Sequence, residues 1–457
     1  MNPGKLFLTV ILAAAALQLQ AKDYNASMFG AKSNGTTLNT SSIQKGIDYI
    51  SENGGGRLVF YVGRYLTGTI YLKSNVTIHL EEGAILVGST NPFDYERNFN
   101  WTALIFALGQ ENIGITGKGV IDGQGFLVAN NLVDMIHKGV VKDPGSWNQQ
   151  YDQCRNLVID NITVDSKSYW NNDGVDIVDC DSVVVSNSYF DAADDGICLK
   201  SHDPNFVCRN VWIRNNKVRT SANGIKFGTV GRGGFKDITI VSNVVFDTYR
   251  SAVTFAAVDG GFVENILVDS LRSLNTGNVI FLRIGARSGT NPGRINGVTI
   301  SNVYAEVPAA KPDAGYNYEG PVEDLPRNIS PSSIVGIPGA LIENVTLKNI
   351  EIHYPGGGNP HYAKVGLDEL DKVPELEKNY PEFSMFKELP AWGFFIRHAK
   401  GIIMENVKLV CDRKDYRTAI VLDDVHGATF SKLQVSEPGS RKESIFSRES
   451  TDIFNRK

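Results

Sequence analysis

Cysteine is scarce in this chain: there are five in 457 residues, at Cys154, Cys180, Cys198, Cys208 and Cys411. An odd, sparse set excludes a disulfide-stapled scaffold, and no pair has zinc-finger spacing. They read as small apolar core residues. No sign of charge dominates either. Forty-five Lys and Arg against 50 Asp and Glu leave a formal net charge of -5. That balance excludes a global attraction for nucleic acid or anionic membranes, and any positive field for an acidic glycan must be local. Long apolar runs are missing beyond the N-terminus. The one run there, Leu6 to Leu19, is too short for a comfortable membrane span. Lys5 precedes it, and Ala21 sits before Lys22 and Asp23, so residues 1–21 read as a signal peptide. Leu19 at position -3 leaves the cleavage point open, and no cysteine lies nearby to carry a lipid anchor. The expected destination is the periplasm or the extracellular space, with no span in the mature chain. No phosphate loop, dinucleotide fingerprint or serine triad is present.

What the sequence does have is a period. Similar phrases begin at Asn156, Ser182, Asn210, Asp237 and Asn265, spaced by 26, 28, 27 and 28 residues, with later copies near Asn296, Asn344, Gly401 and Gly427. Each holds alternating β-branched residues, then an Asn or Ser, then more apolar residues. Alternation sends one set of side chains inward. The mid-repeat Asn or Ser marks a bend, since Asn tolerates a left-handed φ. Short strands joined by such bends at a near-fixed period wind into a β-solenoid. Cys180 and Cys198 lie about one coil apart and are candidates for stacked neighbours.

A solenoid needs its ends covered. Thr40 to Asn53 reads as an amphipathic helix that plugs the first coil. Ser41 or Ser42 is placed to cap it, Ile43, Ile47 and Ile50 form its apolar face, and Gly54-Gly55-Gly56 stops it. Strands are expected over Arg57–Tyr61, Tyr65–Leu72 and Val76–Leu80. The solenoid then runs as one domain over residues 22–457, broken by insertions near 305–339 and 354–392. Insertions in a solenoid map to loops on its flanks. These two either wall a cleft or cover the C-terminal end, and the sequence does not decide between them.

Two neighbouring repeats are dense in acid: Asn171-Asn172-Asp173-Gly174-Val175-Asp176, and Asp191-Ala-Ala-Asp194-Asp195-Gly196-Ile197-Cys198-Leu199-Lys200. The offset from Asp173 to Asp195 is 22 residues, close to one coil. Equivalent positions on stacked coils lie roughly 4.8 Å apart, which brings Asp173, Asp194 and Asp195 together. Like charges so close push at least one pKa up. Glycosidic acid/base chemistry uses that arrangement: one carboxyl donates a proton to the leaving oxygen while another activates water. A calcium site or a solvated acidic bend remains the alternative on spacing alone.

These residues sit in a sequence that resembles glycoside hydrolase family 28, the polygalacturonases and rhamnogalacturonases. The resemblance runs through Gly54-Gly-Gly-Arg-Leu-Val-Phe, Leu72-Lys-Ser-Asn-Val-Thr-Ile and Ile115-Thr-Gly-Lys-Gly-Val-Ile-Asp-Gly-Gln-Gly. It implies an all-β fold, a single-stranded right-handed parallel β-helix of the pectin-lyase-like kind with an N-terminal capping helix. It also implies inverting hydrolysis of pectin-type, uronic-acid-containing polysaccharides or oligosaccharides, with no cofactor and no metal. The family's Asn-Thr-Asp appears as Asn171-Asn172-Asp173, and its Asp-Asp pair as Asp194-Asp195. By the resemblance Asp194 is the general acid, Asp173 and Asp195 hold and activate water, and Asp176 supports them.

Two family motifs are altered. Gly-His-Gly is replaced by Ala222-Asn223-Gly224, where an amide can bond but cannot titrate. Arg-Ile-Lys, which grips the sugar carboxylate, is replaced by Val253-Thr254-Phe255. Substitute sugar ligands are Asn171, Asn223, Lys226, His202 and the cations Arg283 and Arg287, with Arg283 expected to point into the cleft as a two-pronged carboxylate fork. Trp170 is a candidate stacking platform, with Tyr169, Trp147 and Trp392 further aromatics of the same kind. A polysaccharide lyase on the same architecture and a non-catalytic glycan-binding solenoid are the competing readings. Oligomeric state is not legible. From sequence, replacing Arg283 with Ala is expected to cripple activity on uronic substrates without changing the melting temperature.

Overall fold

The computed structural model describes residues 22–98, 101–124, 127, 146–167, 172–287, 291–312, 330–363, 365–439 and 443–456. Residues 1–21, with the expected signal peptide, lie outside them, as do Tyr169, Trp170 and Asn171. Within the described residues almost every strand pairing is parallel, and each strand pairs with its equivalent one coil on. The chain is the expected right-handed parallel β-helix, with three sheets running its length. The first sheet stacks strands such as Arg155–Asp160, Asp181–Ser186 and Cys208–Arg214. The second stacks Thr163–Ser166, Tyr189–Ala192 and Lys217–Thr220. The third stacks Val175–Val178, Ile197–Ser201 and Ile225–Gly231.

The corners are where the repeat places them. The repeat starts Asn156, Ser182, Asn210, Asp237 and Asn265 all hold a left-handed φ between 52° and 63°. The mid-repeat residues Asn161, Asn187, Asn215, Ser242 and Ser270 do the same, at 53° to 60°. Asn and Ser tolerate this conformation where β-branched residues do not. Their side chains also bond from coil to coil: Asn156 Nδ2 donates to Asn112 Oδ1 at 3.1 Å, and Asn406 Nδ2 to Asn349 Oδ1 at 2.9 Å.

Alternation sorts the third sheet into two kinds of column. Val175, Ile197, Ile225 and Val253 stack in register, as do Ile177, Leu199, Phe227 and Phe255, and all eight are fully buried in the core. Between them, Asp176, Cys198, Lys226 and Thr254 occupy one outward column. The five cysteines are free thiols. Cys180 stacks with Cys154, whose backbone N–H points at Cys180 Sγ at 3.4 Å, and not with Cys198 as the spacing suggested. Cys198 belongs to the outward column instead, because residue parity and not coil length sets which way a strand residue faces.

The capping helix spans Thr40–Glu52 and buries Ile43, Ile47 and Ile50. Its N-cap is Asn39 rather than Ser41 or Ser42, and the Asn39 side chain makes no capping bond. That amide is committed elsewhere: it accepts from Lys32 N–H at 2.8 Å and donates to the Thr37 carbonyl at 2.9 Å. The opening strands are Gly56–Phe60, Gly63–Thr67, Ile70–Tyr71 and Val76–Leu80. No helix among the described residues is long and apolar enough to cross a membrane. In the first insertion, residues 313–329 lie outside the described set, and Ser332–Val335 is itself a rung of the third sheet.

Glycines fix how closely the rungs stack beside the acidic residues. Gly174 N–H donates to the Asp195 carbonyl at 2.9 Å, Gly196 N–H to the Asn223 carbonyl at 2.9 Å, and Gly224 N–H to the Ser251 carbonyl at 2.9 Å. A Cβ on Gly196 would lie 2.3 Å from Val218 Cγ1 and 2.8 Å from the Gly224 carbonyl oxygen. Neither can retreat without moving a rung. Gly196→Ala is therefore expected to cost about 1–3 kcal/mol of stability, read as a lowered urea midpoint. An unchanged midpoint would show that the rungs can part.

Candidate active site

The carboxylates converge at one edge of the third sheet, just before its strands begin. Asp173 precedes Val175–Val178, and Asp194 and Asp195 precede Ile197–Ser201 one coil later. One oxygen each of Asp173 and Asp195 and the sulfur of Cys198 lie within 4.8 Å of one another. Asp173 and Asp195 are each 3% exposed, while Asp194 keeps partial contact with solvent. The backbone N–H of Asp195 donates to Asp194 Oδ1 at 2.9 Å, which fixes the rotamer of its neighbour.

Two buried lysines answer this charge. Lys200 Nζ donates to Asp173 Oδ2 at 2.8 Å, to Asp176 Oδ1, and to Cys198 Sγ at 3.1 Å. Lys226 Nζ lies 2.9 Å from Asp195 Oδ2. Asn223 completes the setting of Asp195: its side-chain N–H₂ donates to Asp195 Oδ1 at 2.8 Å and its backbone N–H to the same oxygen at 3.1 Å. Thr254 Oγ1 in turn donates to Asn223 Oδ1 at 2.9 Å. The residues standing where the altered motifs were read thus form a strut behind Asp195, with Val253 and Phe255 turned into the core.

The environments push the two adjacent carboxyls apart. Burial, then the charges of Asp173 and Asp195, raise Asp194 to about 7, against the opposing pull of Arg250 and Lys226. Burial alone would raise Asp195 too, but Lys226, Lys200 and the Asn223 amide more than offset it and hold Asp195 below the ordinary carboxylate range. Burial and the neighbouring Asp176 push Asp173 upward against Lys200.

The second insertion reaches this site. Leu370, Val373, Phe383, Phe386 and Leu389 pack on Phe281, Val335, Phe395 and Val421, which are outward residues of the third sheet on the later coils. From that base Tyr380 presents its hydroxyl to Lys226 Nζ at 2.8 Å, and Glu382 Oε1 lies 2.6 Å from Arg250 Nη1. Of the two roles left open for this segment, walling the cleft is the one the structure supports: it covers the sheet on the C-terminal side of the carboxylates.

Several expected sugar ligands sit elsewhere. Arg283 does not point into an open cleft. It is fully buried beneath the insertion, with Nη1 donating to the Gly336 carbonyl at 2.9 Å, Nη2 to the Glu375 carbonyl, and its guanidinium over the Phe386 ring. Outward parity placed it on the right sheet, but the insertion covers that rung. Arg287 pairs with Asp259 at 2.8 Å and lies 6.0 Å from the Tyr380 ring centroid. Trp392 is core, with Nε1 donating to Glu437 at 3.1 Å. His202 is partly exposed, and burial and Lys200 push it down to about 4, so it is neutral at ordinary pH. Sequence reasoning missed the role of Lys200, although its outward parity in the acidic repeat was a usable signal. Tyr380 and Glu382 carried no signal, because only the docking of the insertion brings them in, whereas Arg250 lies on the strand Val244–Ala257, one coil beyond Ala222, and was overlooked.

The site is thus a set of paired carboxylates of unlike acidity on one outer face of a parallel β-helix. The family model for glycosyl hydrolases family 28 matches residues 140–254, the segment that holds every carboxylate of this cluster. The chain is 25% identical over 325 residues to the exo-poly-alpha-D-galacturonosidase of Dickeya chrysanthemi, covering 52% of this chain and 53% of that protein. It is 23% identical to an exopolygalacturonase of Zea mays, covering 61% of this chain and 76% of the other. Its fold superposes on the family 28 exopolygalacturonase of Yersinia enterocolitica with a TM-score of 0.59 at 20% identity, over 95% of this chain and 78% of that one. Over residues 140–254 the chain is therefore similar to glycosyl hydrolases family 28. It spans about half the length of the Dickeya protein.

Because Arg283 ties the insertion to the sheet, Arg283→Ala is now expected to destabilise the fold by about 1–3 kcal/mol, seen as a lower melting temperature. This reverses the expectation from sequence. Activity lost with unchanged melting would restore the clamp.

Proposed function

We propose that this protein is an inverting glycoside hydrolase that removes sugars from the ends of pectin-type, uronic-acid-containing chains. The observation that carries the reading is the split in acidity between adjacent carboxyls, Asp194 near 7 and Asp195 below the ordinary range. Pairs driven apart in this way divide into an acid and a base. Asp194 keeps a proton at mildly acidic pH and gives it to the glycosidic oxygen as the bond to the anomeric carbon breaks. Asp195 takes a proton from the water that attacks that carbon from the opposite face, and Asp173 helps to hold this water. Attack from the far side inverts the anomeric centre.

Action at chain ends is supported by the insertion, which occupies the sheet beyond Lys226 and Arg250 on one side of the carboxylates. A substrate chain would meet a wall there instead of a through-going groove. The names of the Dickeya, maize and Yersinia relatives point the same way. Residues 1–21 are proposed to direct export toward such polymers, and a mature N-terminus still at Met1 in the exported protein would refute that.

Three outcomes are expected. Asp194→Asn should lower kcat by about 10²–10⁴-fold, and equal sugar release by both proteins would overturn the assigned acid. The acid must be protonated to act, so activity should be retained below pH 7 and lost as pH rises through about 7. A rate that stays flat to pH 9 contradicts this. Proton NMR of the first-formed product should show the inverted anomer, released as monomers or short units from the earliest time point. Retention, a broad ladder of oligomers, or an ultraviolet-absorbing unsaturated product would each replace part of the reading.

A further inference from the structure

Lys226 was a candidate sugar ligand on sequence grounds, because the family's sugar-gripping cations are absent. The structure leaves its ammonium no room for that role. Lys226 is fully buried. Its Nζ lies 2.9 Å from Asp195 Oδ2, donates to Tyr380 Oη at 2.8 Å, and lies 3.8 Å from Glu382 Oε1. Its three protons are thus faced by a carboxylate, a phenol and a second carboxylate. The same contact places the Tyr380 ring centroid 4.9 Å from the ammonium. On the other side of Asp195, Asn223 occupies Oδ1.

We propose that Lys226 is a positioning residue for Asp195, and that Tyr380 and Glu382 of the second insertion close its cage, so the insertion is part of the catalytic apparatus as well as the cleft wall. The inference rests on the reading of Asp195 as the water-activating base. Asp195 Oδ2 is then fixed by the ammonium and Oδ1 by the amide, which leaves the carboxylate one orientation from which to take the proton of water. A point charge on a flexible stem suits this task only when its direction is fixed, and the cage fixes it. The segment that carries Tyr380 and Glu382 is itself held to the sheet. Arg397 pairs with Glu375 at 2.7 Å, Arg448 pairs with Asp371 at 2.7 Å, and Arg283 bonds to the Glu375 carbonyl.

The charged and titratable groups facing Asp195 are Lys226, Lys200, Arg250, Asp173, Asp176, Asp194, Tyr380 and Cys198. Those facing Lys226 are Asp195, Asp194, Tyr380, Glu382 and Cys198. Removing the Lys226 charge takes away the largest cationic influence on Asp195 and leaves Lys200 and Arg250, so its ionisation should need a higher pH.

The test compares wild type with Lys226→Met, Lys226→Arg and Tyr380→Phe on a galacturonate oligosaccharide of defined length. Lys226→Met should lower kcat about 100-fold while KM changes less than about 2-fold, and the acid-side limb of the kcat/KM profile should move to higher pH. Lys226→Arg should recover part of kcat and return the limb toward its original position. Tyr380→Phe should shift the same limb in the same direction by a smaller amount, and it remains decisive if the methionine variant does not fold. If KM instead rises about tenfold or more while kcat and the limb stay in place, Lys226 is a sugar ligand and the proposal is overturned. Full activity in Asp195→Asn would instead overturn the functional reading on which the proposal rests, so the two failures are distinguishable.

Discussion

The register between coils is the constraint on which the rest of this structure depends. Parallel rungs joined by backbone hydrogen bonds can slip only by whole residues, and a slip of one turns every side chain to the other side of the sheet. Val175 opposite Ile197 opposite Ile225 is the register that buries the core columns. The same register puts Asp173, Asp195 and Asn223 at equivalent places on three successive coils. The hydrophobic interior therefore specifies the position of a polar cluster that it never touches. Gly174, Gly196 and Gly224 let those rungs approach closely enough for each N–H to reach the carbonyl of the next.

That placement creates an electrostatic problem, which the neighbouring side chains resolve unevenly. Asp173, Asp176, Asp194 and Asp195 are crowded together with Lys200 and Lys226 as the nearest ammoniums. Lys200 bridges Asp173 and Asp176, and Lys226 attends Asp195. At Asp194 the balance tips the other way: burial and the charges of Asp173 and Asp195 outweigh the pull of Arg250 and Lys226. Low local dielectric magnifies the difference. One carboxyl is thereby biased to keep its proton and its neighbour to lose it, which is the asymmetry that acid/base cleavage of a glycosidic bond requires.

The second insertion links this chemistry to the later coils. A mixed apolar and ionic seam holds it: Phe383 and Phe386 pack against Phe281 and Phe395, while Arg283, Arg397 and Arg448 grip its backbone and carboxylates. Arg283 shows why an outward-facing cation could be misjudged from sequence. The alternation correctly places it on the outer side of the third sheet, but outer does not mean open once another segment lies across that rung. Trp392 shows the opposite case, an aromatic at the end of the insertion that rejoins the core as the rungs resume.

The sequence alone determined the coil, its corners and its acidic focus. A period near 27 residues, strict alternation, and Asn or Ser at the bends are local signals, and backbone sterics and burial translate them directly into a solenoid with Asp173 and Asp195 one rung apart. It could not determine what Lys226, Asn223 and Arg283 are bonded to, nor bring Tyr380 and Glu382 to the site from more than 150 positions along the chain from Lys226 and 130 from Arg250. Those pairings depend on how an aperiodic segment folds back over a finished sheet. No repeat encodes that path, so only the tertiary packing decided which cations serve the carboxylates and which hold the wall beside them.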